Sequence, residues 1–221
     1  MIDLIYIIVS SEFERERLNY LQKYINENFI KYKDRIKYYE PLYKNRDEEL
    51  IKDCNYHSKL KTAEKMLFET YIKIFKEILE LKYENILILE SDVLFFNNFE
   101  TKLDEIFNEW LISRKNKASM VFLGNGCNLH PDERNKISFN LYLQNKSKCT
   151  DSMLCSRESI EYVINYINKL DIIDKPIDYF LDHVFGDECN AYWIKYPMVT
   201  QGSQNGTYKS TIQTHFHNFF A

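Results

Sequence analysis

Glu90 and Asp92 stand one residue apart at the end of an apolar run, Ile86 to Leu89, in the segment NILILESDVLFF. Side chains alternate along an extended strand, so the two carboxylates point the same way and Ser91 points the other. Two unpaired carboxylates held so close repel each other and lose hydration. A hard divalent cation relieves both penalties. Mg²⁺ and Mn²⁺ characteristically take one or two carboxylates and complete their shell with water and substrate phosphates. The competing reading is that both acids face solvent or pair with Lys and Arg, as an arbitrary acid-x-acid triplet does. The uninterrupted strand before the pair, and the apolar Val93, Leu94 and Phe95 after it, favour the cation.

A strand that is apolar on both faces must lie centrally in a sheet covered by helices on both sides, and ligands of open α/β sheets sit beyond the carboxyl ends of such strands. The rest of the chain supplies the layers. Residues 3–9 form a strand, and residues 12–29 a helix with Phe13, Leu18, Leu21, Ile25 and Phe29 at helical spacing. RIKYYEPLY is a second short strand, and residues 45–57 are polar and irregular. The strongest helix covers residues 58–83, with Ser58 at its cap and Leu60, Ala63, Leu67, Tyr71, Ile74, Ile78 and Leu81 as its stripe. FETKLDEIFNEWLISRK is a further helix and ASMVFLG a further strand, followed by a long loop over residues 124–148. DSMLCS is a strand that becomes a helix near Ser156, KPIDYFLDHVFG opens a helix with Pro176 in its first turn, and AYWIKYP is the last strand before a polar, irregular tail. The alternation predicts an α/β fold: a three-layer sandwich with a mostly parallel central sheet and helices on both faces.

Composition bounds the function. The chain has 221 residues, which suits one domain, and its 45% hydrophobic and 28% charged residues mark it as globular. A net charge of −4 with scattered lysines gives no polyanion-binding face, so nucleic acid is not an expected partner. The run from Leu4 to Val9 is too short to span a membrane and follows Asp3 instead of a basic segment, so no signal peptide or transmembrane segment is expected and the location is cytoplasmic. The five cysteines, Cys54, Cys127, Cys149, Cys155 and Cys189, form no CxxC pair and predict free thiols with neither a disulfide framework nor a structural zinc site. The 17 Tyr and 15 Phe accompany many Ile, Lys and Asn, so aromatic abundance by itself does not argue for a stacking surface.

A hydrophobic strand ending in acid-x-Asp is also the metal site of GT-A glycosyltransferases, and the surrounding text resembles glycosyltransferase family 25 in particular. ILILESDVLF resembles that family's LxLEDDxxF strand, and KPIDYFLDHVF its Pro-x-Asp-x-Phe-Leu segment. TDSMLCSRESIEYVI resembles its strand-to-helix element, YPMVTQGSQNGTYKSTI its Pro-x-x-x-Gln…Ser-x-Ile tail, and IIVSSEFERERLNYL its first strand and arginine-bearing turn. The pieces occur in the family's order over nearly the whole chain. Ser91, Met153, Ser159 and Ile160 depart from the pattern.

The resemblance implies a GT-A-type, Rossmann-like domain over residues 1–221, with a donor-binding half at about 1–100 and an acceptor-side half at about 101–221. It implies a metal-dependent, inverting transferase that moves a sugar from a UDP-sugar to a glycan, lipid-linked or protein hydroxyl, with a homodimer as an open possibility. Asp92 would be the principal ligand of Mn²⁺ (or Mg²⁺), Glu90 a second, and His215 or His217 a third. Arg17, in preference to Arg15, would lie at the donor nucleotide together with Ser91. Lys209 and Ser210 would contact phosphates, and Gln201 and Ser203 would face donor or acceptor. Asp178 would be the general base and Asp182, one turn on, its runner-up on the same face. Asp178 equally fits a helix N-terminal acid stabilised by the dipole. Tyr179 and Trp193 could stack on sugar, although core packing suits Trp193 better. Two other classes stay open: an inactive sugar-nucleotide or glycan-binding module, and a metal-dependent nucleotidyl or phosphoryl transferase, against which the missing Gly-rich phosphate loop argues.

Overall fold

A computed structural model describes residues 1–51, 54–126 and 128–209. In chain order its main elements are β1 (Leu4–Ile8), α1 (Arg15–Asn28), β2 (Ile36–Tyr39), α2 (Lys44–Asp47), α3 (Thr62–Leu81), β3 (Asn85–Glu90), β4 (Val93–Phe95), α4 (Phe99–Arg114), β5 (Ala118–Phe122), β6 (Leu141–Leu143), β7 (Ser152–Ser156), α5 (Arg157–Ile167), α6 (Ile177–Leu181), β8 (Cys189–Ile194) and β9 (Val199–Gln201). A seven-stranded sheet runs in the order β2-β1-β3-β7-β5-β8-β6, and β4 pairs with β9 in a two-stranded ribbon. β2, β1, β3, β5 and β8 share one direction, while β7 and β6 run against it. The mostly parallel α/β sandwich expected from the alternation is therefore present, with one antiparallel strand, β7, set in its centre.

The pleat sorts the core into two layers. Tyr6, Ile8, Ile86, Ile88, Met153 and Cys155 face α3, α5 and α6. Ile5, Ile7, Leu87, Leu89 and Leu154 face α1 and α4, where Leu21, Ile25, Leu103, Ile106 and Trp110 meet them. β1, β7 and residues 86–89 of β3 are buried throughout, as an unbroken apolar strand under two helical layers should be. Each such large apolar side chain contributes about 1.5–3 kcal/mol on burial.

Several boundaries differ from the sequence expectation. α3 starts at Thr62, not at Ser58, because the Glu64 carboxylate accepts the Lys61 N–H at 2.7 Å and satisfies a donor at the helix start. Its buried stripe runs through Met66, Phe68, Tyr71, Ile74, Phe75 and Ile78, which leaves Leu81 47% exposed. Residues 45–57 are not wholly irregular: they include most of α2 and a 3₁₀ turn over Glu48–Ile51. The 124–148 loop contains the edge strand β6, whose pairing with β8 was not apparent from its polar surroundings. AYWIKYP is not the last strand either, since β9 follows it. Pro176 is the N-cap of α6 and precedes its first turn. Ser156 does cap α5, accepting the Ser159 N–H at 3.2 Å. Among the described residues no helix is long and apolar enough to cross a membrane. No disulfide joins the described cysteines, Cys54, Cys149, Cys155 and Cys189.

Candidate active site

The site forms where β3 ends. β7 runs antiparallel beside β3, so its first residue, Ser152, pairs with Leu89, and the Glu90 N–H donates to the Asp151 carbonyl at 2.8 Å. On the other side of β7, Phe122 pairs with Met153. Continuing both registers sets Glu90, Asp151 and Gly124 in one row across three chain segments, on the α3 side of the sheet. A side chain at Gly124 would collide with this row: a Cβ there would lie 2.2 Å from Asp151 Oδ2. The glycine leaves the space the Asp151 carboxyl occupies.

Three acids thus meet at one rim. Glu90 accepts hydrogen bonds from Tyr71 Oη at 2.9 Å and Thr150 Oγ1 at 2.7 Å. Asp92 is 7% exposed; its Oδ2 accepts the Ser203 hydroxyl, and its buried Oδ1 has no partner. Asp151 is fully buried, accepts the Ser152 hydroxyl at Oδ1 over 3.2 Å, and leaves Oδ2 without a partner. Burial pushes Glu90 up to about 7, and the neighbouring Asp92 charge adds to the shift. Burial, then the charges of Glu90 and Asp92, holds Asp151 well above the carboxylate range. The nearest buried cation is Lys148, 1% exposed, whose ammonium sits 5.4 Å from the Trp193 ring centroid. Burial pulls it down to about 8 against the attraction of Asp151.

On the opposite side of β3, Ser91 donates to Glu14 Oε1 at 2.7 Å and accepts from Arg17 Nη1 at 2.8 Å. Arg17 also pairs with Glu14 at 2.6 Å, donates to the Lys209 carbonyl at 2.7 Å, and lies 5.1 Å from the Tyr208 ring centroid. One guanidinium thereby ties the start of α1, the residue between the two acids and the tail. The tail is fastened a second time at Gly202, whose N–H donates to the Asp92 carbonyl at 2.7 Å. A Cβ at Gly202 would meet the Tyr208 ring at 2.4 Å.

These groups open on a cleft of about 590 Å³. Glu90, Ser91, Asp92, Arg17, Gln201 and Ser203 are among its lining residues. Arg15, by contrast, is exposed and does not line it. Asp178 also lines the cleft, and burial, with lesser contributions from Asp182 and Glu64, raises its pKa. Asp182 follows one turn on as the C-cap of α6, still in helical conformation and near enough for its charge to raise the Asp178 pKa, but its carboxylate accepts the Ser147 N–H at 2.6 Å beside a second, smaller pocket and does not line the cleft. Tyr179 lines the cleft, whereas Trp193 is a buried core residue donating its indole N–H to the Lys146 carbonyl at 2.7 Å. Lys209 is exposed and contributes its carbonyl to Arg17. Ser210, His215 and His217 lie outside the described residues.

Asp151, Thr150, Glu14 and Lys148 were absent from the sequence candidates. The available signal for Asp151 was an acid directly preceding a buried strand.

Among the described residues no three His, Cys, Asp or Glu side chains converge as a complete ligand set. The donor chemistry nevertheless fits a hard divalent cation: two carboxylates at the cleft and an unpartnered, buried Asp92 Oδ1. Such a cation would take its remaining ligands from water and substrate oxygens.

No protein-family model matches the chain, and no curated protein matches it. Among solved structures, A197 from STIV superimposes with a TM-score of 0.46 at 14% identity, covering 90% of this chain and 83% of that one. LgtC carrying an active-site mutation gives 0.42 at 9% identity, covering 85% of this chain and 71% of that one. The apo form of a UDP-glucose pyrophosphorylase gives 0.41 at 9% identity, covering 87% and 74%. Superposition this loose carries no residue-level correspondence.

Proposed function

We propose that the cleft is the active site of a cation-assisted glycosyltransferase of GT-A type, akin to family 25, that transfers a sugar from a UDP-sugar to a hydroxyl acceptor. One observation carries the reading: Glu90 and Asp92 lie together at the carboxyl end of a central strand, with a buried Asp92 oxygen unpartnered at the wall of a substrate-sized cleft. Glu90 and Asp92 would hold Mn²⁺ or Mg²⁺. When bound, the cation supplies Lewis-acid stabilisation of the nucleoside diphosphate leaving group.

The chain's own residues do the rest. Arg17, locked by Glu14 and Ser91, sets the position of the Ser91 turn and of the Lys209 backbone. Asp178, in the same cleft, takes the proton of the acceptor hydroxyl as that oxygen bonds to the anomeric carbon. The bond from that carbon to the diphosphate oxygen breaks, and its electron pair leaves with the nucleotide. The raised pKa of Asp178 makes it a better proton acceptor than an ordinary carboxylate. One displacement inverts the anomeric centre.

Thermal-shift titration with UDP, ADP and GDP, in Mn²⁺ and in EDTA, tests the reading. UDP should raise the melting temperature in Mn²⁺ and much less in EDTA, and Asp92→Asn should abolish the difference while the protein stays folded. A larger shift with a purine nucleotide, or an unchanged shift in Asp92→Asn, overturns it. Stabilisation by a UDP-sugar with no transfer to any acceptor would leave a binding module.

A further inference from the structure

Beside the acid row, the lining contributed by α3, α6 and the segment after β2 has a charge and surface pattern of its own. It includes Tyr43, Leu67, Pro176 and Tyr179, apolar and aromatic side chains of the kind that pack against the C–H face of a sugar ring. Two carboxylates stand among them: Glu64 in the first turn of α3 and Asp178 in the first turn of α6. They face the same space closely enough that Glu64 helps to raise the Asp178 pKa, after burial and Asp182. Arg17 is the only basic side chain among the described residues lining the cleft, and Glu14 already pairs with it at 2.6 Å. No cation on the wall therefore answers Glu64 or Asp178. The same cleft contains the buried, unpartnered Asp92 Oδ1, which marks it as a place built to receive a ligand.

We infer that this α3–α6 side of the cleft selects its acceptor by charge, taking an uncharged or amine-bearing glycoside and rejecting uronates, sialates and sugar phosphates. The inference rests on the reading of the cleft as a glycosyl-transfer site and names its acceptor class. The carboxylates accept hydrogen bonds from hydroxyl or ammonium groups, and each repels an acidic substituent brought between them. Discrimination of this kind comes from the repulsive element as much as from the attractive one. Asp178 serves the chemistry in the proposed reaction, so Glu64 is the residue whose charge can be removed for selectivity alone. Its carboxylate also accepts the Lys61 N–H at the start of α3, and glutamine can keep that hydrogen bond.

Methyl glycosides of a hexose, a hexosamine and a hexuronic acid are titrated into the protein by saturation-transfer NMR, with and without UDP and Mn²⁺. The hexose and hexosamine should bind on the order of tenfold more tightly than the uronate at low salt, and added salt should narrow the gap. Glu64→Gln should tighten uronate binding several-fold and so narrow its gap to the hexose. Circular dichroism confirms that the variant is folded, and Glu64→Ala provides a second charge-removing variant. Uronate binding as tight as hexose binding, no measurable preference among the three probes, or the same gap in both variants overturns the inference. Failure of UDP to bind with Mn²⁺ is a separate result: it refutes the donor site and leaves the acceptor preference to be judged from the UDP-free titrations.

Discussion

Without a cation, the acid cluster should make the protein lose stability as pH rises through the range where most proteins are insensitive. Glu90 titrates at about 7 when folded and near its ordinary 4.5 when unfolded. Between those values the folded protein keeps a proton that the unfolded chain has released, so raising the pH favours unfolding. The slope is about 1.4 kcal/mol per pH unit for one group, which amounts to about 3 kcal/mol across the window. For a chain of this length that corresponds to roughly 6–12 °C in Tm. Asp151 and Asp178 are raised as well and act with the same sign. Glu40 and Asp47 are lowered, by Ser10, Ser11 and Arg46 around the first and chiefly by Arg46 at the second, so their contribution is lost only as pH falls below the ordinary carboxylate range. Lys148, pulled down to about 8, contributes no slope below that value. Stability should therefore be greatest near the ordinary carboxylate range, about pH 4, and decline toward about pH 7. Urea unfolding in EDTA at steps across this range measures it. Glu90→Gln keeps an oxygen for the Tyr71 and Thr150 hydroxyls and removes the titrating group, so its decline should be shallower. Saturating Mn²⁺ should reverse the slope, because ligand carboxylates bind a cation only when ionised. Wild-type stability that rises steadily from about pH 5 to about pH 7 in EDTA, or a Glu90→Gln profile parallel to wild type, would refute the reasoning.

Three other outcomes follow from particular contacts. Gly124→Ala should cost about 1–3 kcal/mol through overpacking against the Asp151 carboxyl, and Asp151→Ala in the same chain should recover part of it, a coupling that a double-mutant cycle in urea can read. Asp178→Asn should leave cation-dependent UDP binding intact and slow transfer by about two to four orders of magnitude, whereas Asp182→Asn should weaken the Ser147 contact and slow transfer far less. Thiol titration of the denatured, unoxidised protein should count all five cysteines, with Cys155 and Cys189 unreactive before unfolding because burial pushes both thiols up, Cys189 to about 12.

What the sequence made legible was local. The apolar runs of β1, β3, β5 and β7 and the stripes of α3 and α4 declare themselves within a window of a few residues, and Glu90 and Asp92 are marked by the strand they end. What it hid depends on pairing. Asp151 joins the acid row only because β7 enters the sheet in reverse between β3 and β5, and no periodicity within DSMLCS carries that information. β6 and β9 span three residues each, too short for alternation to stand out, and exist because β8 and β4 offer them an edge. Asp182 lies one turn after Asp178, as its spacing implies, but the Ser147 N–H holds its carboxylate beside another pocket, and spacing within α6 says nothing of a contact that comes from a distant loop.

The reversed central strand has a consequence for how the chain assembles. By the time residue 122 has left the ribosome, β1, β2 and β3 can pair with one another, but β5 has no partner: both of its neighbours, β7 and β8, are still to be made. Until then one edge of β3 and both edges of β5 stay open, each a template for another chain. β7 closes the gap late and joins the two halves of the sheet in a single step, through contacts 63 to 71 residues apart in the chain for β3 and 31 to 35 for β5. Folding should accordingly be slow and limited by capture of this strand. A fragment ending before residue 152 should associate with itself or with a chaperone.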